Sequence, residues 1–79
     1  MSTLTAKPVA EAMDVSFGED ELIVTLSDAR RIAVPLDWFP RLRAATPAKR
    51  ENWRLIGRGI GIHWPELDED ISVKRLLAD

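Results

Sequence analysis

Apolar and polar residues alternate through the first half of the chain. Met13, Val15 and Phe17 are separated by single polar residues, which predicts a half-buried strand. Three segments have this period-two pattern: residues 12–17, 21–27 and 30–36. Only short turn-forming stretches separate them, and parallel strands would need a long crossover. The pattern therefore predicts an antiparallel meander, with Val15, Val24 and Val34 on the same core face.

Two short helices are predicted after the meander. In the first, Asp37 has the chemistry of an N-cap and Trp38 and Leu42 share one helical face. Thr46 and Pro47 then form a second start signal, since threonine caps well and proline is tolerated at the first helical position. We expect a bend before Pro47 and a helix of one or two turns after it.

The second half predicts a strand and a final helix. Residues 55–64 contain three glycines at alternate positions, together with Ile60, Ile62 and Trp64 in strand phase. This pattern predicts a fourth, Gly-rich strand with bulges or close backbone approaches at the glycines. An acidic loop over residues 66–70 and a C-terminal helix over residues 71–77 follow.

The predicted fold class is α+β. It consists of an antiparallel three-stranded β-meander plus a fourth Gly-rich strand, with short helices packed on the sheet. Residues 1–9 are predicted to be a flexible tail, and residues 10–79 a single small domain. The 79 residues, 46% of them hydrophobic, suffice for one small core but not for a core and a deep substrate cavity. This size argues against an enzyme.

Composition excludes several other classes. The sequence has no cysteine, which removes disulfides and thiolate metal sites. No apolar run approaches the roughly 20 residues of a membrane span, and the first residues lack the apolar stretch of a signal peptide. We expect a cytoplasmic protein that makes no membrane contact.

The net charge of −2 conceals a segregation along the chain. Residues 29–65 carry eight basic and two acidic side chains, whereas the segments on either side are acidic. An arginine-rich middle could meet an anionic partner such as a nucleic acid. Alternatively, it could pair with the acidic ends inside one small fold, and this second interpretation is the one that the usual mixing of surface charges favours.

No motif carries recognisable chemistry. The run Gly57-x-Gly59-x-Gly61 lacks the lysine, the hydroxyl residue and the following helix of a phosphate-binding loop. His63 is the only histidine, and scattered carboxylates after it do not make a metal site without a second nitrogen ligand. No serine has the context of a nucleophile. We therefore predict no catalytic residue, no metal and no cofactor.

Two stretches resemble a known family. They are Leu-Asp-Trp-Phe-Pro-Arg-Leu at residues 36–42 and a longer one at residues 52–73, in which Ile-His-Trp-Pro-x-Leu-Asp-Glu-Asp-Ile-Ser-Val over residues 62–73 is specific. The chain resembles a small bacterial family classed as domain-of-unknown-function family 2442. The resemblance implies a small α+β fold without established catalytic residues. It also implies neighbourhoods like those of toxin–antitoxin gene pairs, and some relatives fused to helix-turn-helix domains.

The function predicted on these grounds is a non-enzymatic protein-binding or regulatory module, such as the antitoxin-like half of a two-gene pair with a small protein partner. A sheet edge or the helix face around Trp38 and Phe39 would cover the partner. The alternative is a nucleic-acid-associated transcriptional regulator that uses the arginine-rich middle, and homo-oligomerisation is left open. The candidate partner-binding residues are Trp38, Phe39, Arg54, Arg58, His63 and Trp64. For Trp64 a second interpretation is a buried clasp that docks the C-terminal helix on the sheet.

Overall fold

The computed structural model of the protein describes residues 10–77, so the predicted tail over residues 1–9 lies outside the described residues. Two three-stranded antiparallel sheets and short helices confirm the α+β class. The elements in chain order are β1 (Ala12–Phe17), β2 (Glu21–Leu26), β3 (Arg31–Pro35), a 3₁₀ turn (Leu36–Trp38), α1 (Pro40–Arg43), α2 (Pro47–Glu51), β4 (Arg54–Ile56), β5 (Gly61–Trp64), β6 (Glu69–Ser72) and α3 (Val73–Leu77).

The first sheet is the predicted meander, in the order β1-β2-β3. Both strand pairs are antiparallel, and Val24 of β2 lies between Val15 of β1 and Ile32 of β3. Val15, Val24 and Val34 are all buried, as predicted from the alternation. Period-two patterning therefore identified this sheet correctly, to within one residue at the strand ends.

The inward phase predicted for Met13 is wrong. The pairing of β1 with β2 shifts between Ala12 and Asp14, which marks a β-bulge. A bulge places two residues opposite one and reverses the phase of the side chains before it. As a result Ala12 and Val15 both face the core, while Met13 is 60% exposed.

The single Gly-rich strand predicted over residues 55–64 is also wrong, because the chain turns back at residues 57–60. Gly57 and Gly59 have φ values of +59° and +110°. Glycine adopts such values without strain, and they allow the tight turn between β4 and β5. Ile60 lies in this turn and is 57% exposed. β6 adds a third strand beside β5, where an acidic loop was expected. A hairpin and an unexpected strand thus make a second sheet, in the order β4-β5-β6.

The helices are shorter than predicted. Asp37 does not cap α1: it lies inside the 3₁₀ turn, and α1 begins after Phe39, which has no capping side chain. Thr46 does cap α2, since its Oγ1 accepts a hydrogen bond from the backbone N–H of Lys49 at 3.3 Å. Ser72 caps α3 in the same way, accepting from the Arg75 N–H at 3.0 Å.

One hydrophobic core joins the two sheets and the helices. The sheets meet where the Ala12 N–H donates to the Gly59 carbonyl oxygen at 2.7 Å. The fully buried members of this core include Trp64 and Ile62 of β5 and Leu42 of α1. Among the helices described within residues 10–77, none has the length and apolar character that crossing a membrane requires.

Candidate protein-binding face

One face of the second sheet stays open and carries a row of ionisable side chains. Arg54 of β4 lies opposite His63 of β5, which in turn lies opposite Asp70 of β6. Directly paired residues of antiparallel strands point to the same face, so the three side chains form a row across the sheet. The Nδ1 atom of His63 contacts the Asp70 carboxylate, and both side chains remain accessible to solvent. Charge on this open face therefore changes sign from one edge to the other.

Beside this row lies a depression whose floor is Gly61. Ile56 and Ser72 are the partners of Gly61 on the neighbouring strands, and the space between them measures about 270 Å³. A Cβ atom on Gly61 would lie 3.1 Å from the Ile71 carbonyl oxygen and 3.2 Å from a methyl carbon of Ile56. A side chain at position 61 would therefore crowd the floor of the depression. Its walls include the apolar Ile60, the cationic Arg75 and the anionic Asp70, so apolar surface and both signs of charge border it.

A second depression lies on the other side of Arg75. It measures about 260 Å³ and is lined by Trp38, Phe39, Arg75 and Leu76. Arg75 therefore borders both depressions and joins them into one surface. We call this the Arg75 surface and define it by Trp38, Ile56, Ile60, Gly61 and Arg75. The Trp38 ring is 61% exposed, and Ile56 and Ile60 are also exposed.

The structure separates the six candidate residues into four groups. Arg54 and His63 come together on the open face, and Trp38 belongs to the Arg75 surface. Arg58 lies in the exposed turn between β4 and β5.

The remaining two candidates, Phe39 and Trp64, are 5% and 0% exposed. The partner-facing positions expected for these two rings are wrong: Trp64 is fully buried, and Phe39 is almost entirely buried although its edge lines the second depression. Phe39 takes its φ of −130° and ψ of 82° between the 3₁₀ turn and α1, and this break turns Phe39 inward and leaves Trp38 outside. Helical spacing alone could not indicate that Phe39 is buried and Trp38 exposed.

Sequence reasoning missed Ile56, Ile60 and Arg75. The alternation places Ile60 in the buried phase of a strand, although it stands between two glycines, a context typical of turns. A large apolar residue flanked by turn-forming residues, as Ile60 is, is therefore a candidate for exposure. Arg75 belongs to a C-terminal segment that is acidic as a whole, so its charge alone does not single it out.

The arginines of the middle segment divide between internal and open positions. Arg43 bridges to Asp20 at 2.9 Å and to Asp37 at 3.3 Å, and Arg41 donates to the Asp68 carbonyl oxygen. Other arginines have no carboxylate partner within residues 10–77: Arg31, Arg54 and Arg58. The expected pairing between the basic middle and the acidic ends therefore accounts for part of the positive charge and leaves the arginines around β4 open.

The electrostatics of the described residues show one shifted carboxyl group and no metal cluster. The backbone N–H of Arg30 donates to the Asp28 carboxylate at 3.1 Å, and this bond, with the adjacent guanidinium, holds the pKa of Asp28 below its ordinary value. Within residues 10–77, no three histidine or acidic side chains converge as metal ligands would.

Comparison with known proteins identifies the family. A crystal structure of a protein of unknown function from Rhodospirillum rubrum has the same fold, with a TM-score of 0.75 and 25% sequence identity. The similarity covers 89% of this chain and 87% of that one. No curated protein matches the sequence. The sequence model described as "Protein of unknown function (DUF2442)" matches residues 12–79, nearly the whole chain, and the protein therefore belongs to the DUF2442 family.

Proposed function

We propose that this protein is a non-enzymatic protein-binding module and that the Arg75 surface contacts its partner. The observation that carries the proposal is the exposure of Trp38, Ile56 and Ile60 around two connected depressions. Large apolar side chains grouped on the surface of a small domain mark interaction sites, and tryptophan is enriched among the residues that dominate binding energy. Arg75 adds a cation at the centre, where it can orient a carboxylate of the partner.

The partner proposed is a small protein encoded beside this one, and the module would act as the antitoxin-like, regulatory half of that pair in the cytoplasm. Its mechanism is occlusion: the Arg75 surface covers an active or binding surface of the partner. Burial of apolar surface supplies the affinity for such a contact. The central arginine fixes the orientation of the partner. The resemblance of the chain to relatives encoded in two-gene arrangements supports the choice of a protein partner.

The direct test is co-expression with the neighbouring gene product, followed by affinity purification and measurement of the dissociation constant. The double variant Trp38→Ser and Ile60→Ser removes both exposed walls of the Arg75 surface. We expect it to fold normally and to bind at least about 100-fold more weakly, since such anchors each contribute about 2 kcal/mol or more.

Met13→Ser is the matched control for this test. Met13 is as exposed as Trp38 but lines neither depression, so its substitution should leave affinity unchanged. Equal loss in the control and the double variant would indicate nonspecific apolar adhesion. An unchanged affinity in the double variant would exclude the Arg75 surface. If the neighbouring product arrests growth, co-expression of the wild type should relieve the arrest and the double variant should not.

A second candidate function is a nucleic-acid-associated regulator. The observation in its favour is that Arg31, Arg54 and Arg58 have no carboxylate partner within residues 10–77. If the protein-binding proposal is correct, the domain should bind duplex DNA with a dissociation constant of about 10⁻⁴ M or weaker at physiological salt. Submicromolar binding that disappears in the Arg54→Ala and Arg58→Ala double variant would favour the nucleic-acid function instead.

A further inference from the structure

β4 is an edge strand with an open side. It pairs with β5, and no strand of residues 10–77 pairs with its other edge. Arg54, Leu55 and Ile56 are all exposed, although two of the three are large apolar residues. An edge of this kind presents unpaired backbone N–H and C=O groups and can accept an additional strand.

The charges beside this edge select what can pair with it. The ionisable row of the open face runs from Asp70 through His63 to Arg54, so its negative end is bound to His63 and its positive end faces the free edge. Arg58 adds a second positive charge just beyond the end of β4. Opposite charges directly across a strand pair are stabilising and like charges are destabilising. The next position in the row therefore favours a carboxylate.

We propose that β4 receives an extended segment of a partner protein as an added antiparallel strand, with an acidic residue opposite Arg54. Apolar residues of that segment would lie opposite Leu55 and Ile56. Ile56 also lines the depression on Gly61, so the added strand continues directly into the Arg75 surface. The inference rests on the proposed protein-binding function and specifies the chemistry of the partner: an acidic and apolar segment that is free to extend.

A second copy of this chain is a poorer occupant. Antiparallel pairing of two β4 strands would bring Arg54 and Arg58 of both copies to one seam, without a carboxylate between them. Such a seam repels itself, whereas an acidic segment neutralises it. The arginines thus disfavour self-pairing along this edge and permit pairing with a strand of opposite charge.

The test begins with a displayed library of random peptides selected on the immobilised full chain. We expect enrichment of peptides in which two apolar residues precede an acidic one, because an antiparallel strand meets Ile56, Leu55 and Arg54 in that order. Synthetic versions should shift the backbone amide resonances of residues 54–56. The Arg54→Glu and Arg58→Glu double variant should bind them at least about tenfold more weakly and should prefer peptides with lysine in place of the acids. Because both arginines are exposed, the variant is expected to fold, and its thermal unfolding verifies this.

The controls separate this inference from the proposed function. Trp38→Ser should change the affinity of the selected peptides by less than about twofold, because the ring lies outside the added strand. Enriched peptides without acids, or amide shifts confined to Trp38 and Arg75, would overturn the added strand while leaving the Arg75 surface supported. A dimer that protects residues 54–56 from hydrogen exchange, or a failure to enrich any peptide, would also overturn it. The co-expression experiment tests the proposed function independently of these outcomes.

Discussion

The indole N–H of Trp64 donates a hydrogen bond to the backbone carbonyl oxygen of Arg50 at 3.0 Å. This carbonyl belongs to the last turn of α2, where helical carbonyl groups lack partners within the helix. The fully buried ring also meets Phe17 edge to face, with 6.5 Å between ring centroids. Trp64 therefore joins the second sheet to α2 and to β1. Its burial agrees with the structural part of the clasp interpretation, but these contacts hold α2 and β1 rather than the C-terminal helix that the interpretation named.

Replacing Trp64 should destabilise the domain strongly. Trp64→Ala removes a fully buried aromatic ring and is expected to lower the free energy of unfolding by roughly 3–5 kcal/mol. Trp64→Phe keeps most of the apolar volume but leaves the Arg50 carbonyl oxygen without its donor, and should cost about 1–3 kcal/mol. Urea denaturation measures both values. If the alanine variant unfolded like the wild type, the clasp interpretation would be wrong.

Arg50 is predicted to act as a structural arginine. Its guanidinium donates to the carbonyl oxygens of Leu42 and Arg43, each at 2.9 Å, and lies 5.7 Å from the centre of the Phe17 ring. A lysine cannot reach two carbonyl groups with a planar fork, so Arg50→Lys should lower the free energy of unfolding by about 1–3 kcal/mol. Arg31→Lys is the matched control, and its exposed position predicts a change within about 0.5 kcal/mol. Equal effects of the two substitutions would contradict the role of Arg50.

These contacts show where prediction from the sequence ends. Alternation identified the meander because each strand has one buried face, a property of neighbouring residues along the chain. The Arg50 contacts join residues from α1, α2 and β1, and no local pattern encodes them. The burial predicted for Met13 and Ile60 is wrong for a related reason, since a bulge and a turn change the phase of the pattern. β6 was missed because half of its residues are acidic and only Ile71 is buried.

The candidate site was only partly predictable for the same reason. The residue types Trp38, Arg54 and His63 could be singled out in the sequence, but their neighbours could not. The depression on Gly61 requires the pairing of β5 with both β4 and β6, and Arg75 reaches it from a different element. A surface assembled from several elements depends on their packing, which single-sequence periodicity does not report.

The carboxyl group of Asp28 should titrate below its ordinary pKa of 3.8. The hydrogen bond from the Arg30 backbone N–H favours the charged form, and the Arg30 guanidinium adds to it. A lowered pKa in the folded state means that this carboxylate stabilises the fold above the unfolded pKa and ceases to do so as the pH falls through the folded pKa. The stability difference between wild type and Asp28→Asn should therefore shrink in acid. Carbon-detected NMR titration measures the pKa, and a midpoint above the ordinary value would contradict the prediction.

Gly59 should tolerate no side chain. Its φ of +110° is unfavourable for any L-residue with a Cβ, and a Cβ at this position would lie 2.3 Å from the Ala12 carbonyl oxygen. The obstructing atom is backbone held by the hydrogen bond between Ala12 and Gly59, so it cannot move without separating the two sheets. Gly59→Ala is expected to cost more than about 2 kcal/mol of unfolding free energy, combining backbone strain with overpacking.

Gly18→Ala is the matched control for this prediction. The nearest atoms to a Cβ on Gly18 are side-chain atoms at 3.7 Å, and its φ lies outside the positive range. Alanine there should be neutral or slightly stabilising, because it restricts the unfolded chain without a clash in the folded one. Hydrogen exchange adds a local measurement, since the Ala12 amide should lose protection in Gly59→Ala and keep it in Gly18→Ala. If both variants unfolded at the same denaturant concentration as the wild type, the junction between the two sheets would not depend on close approach at Gly59.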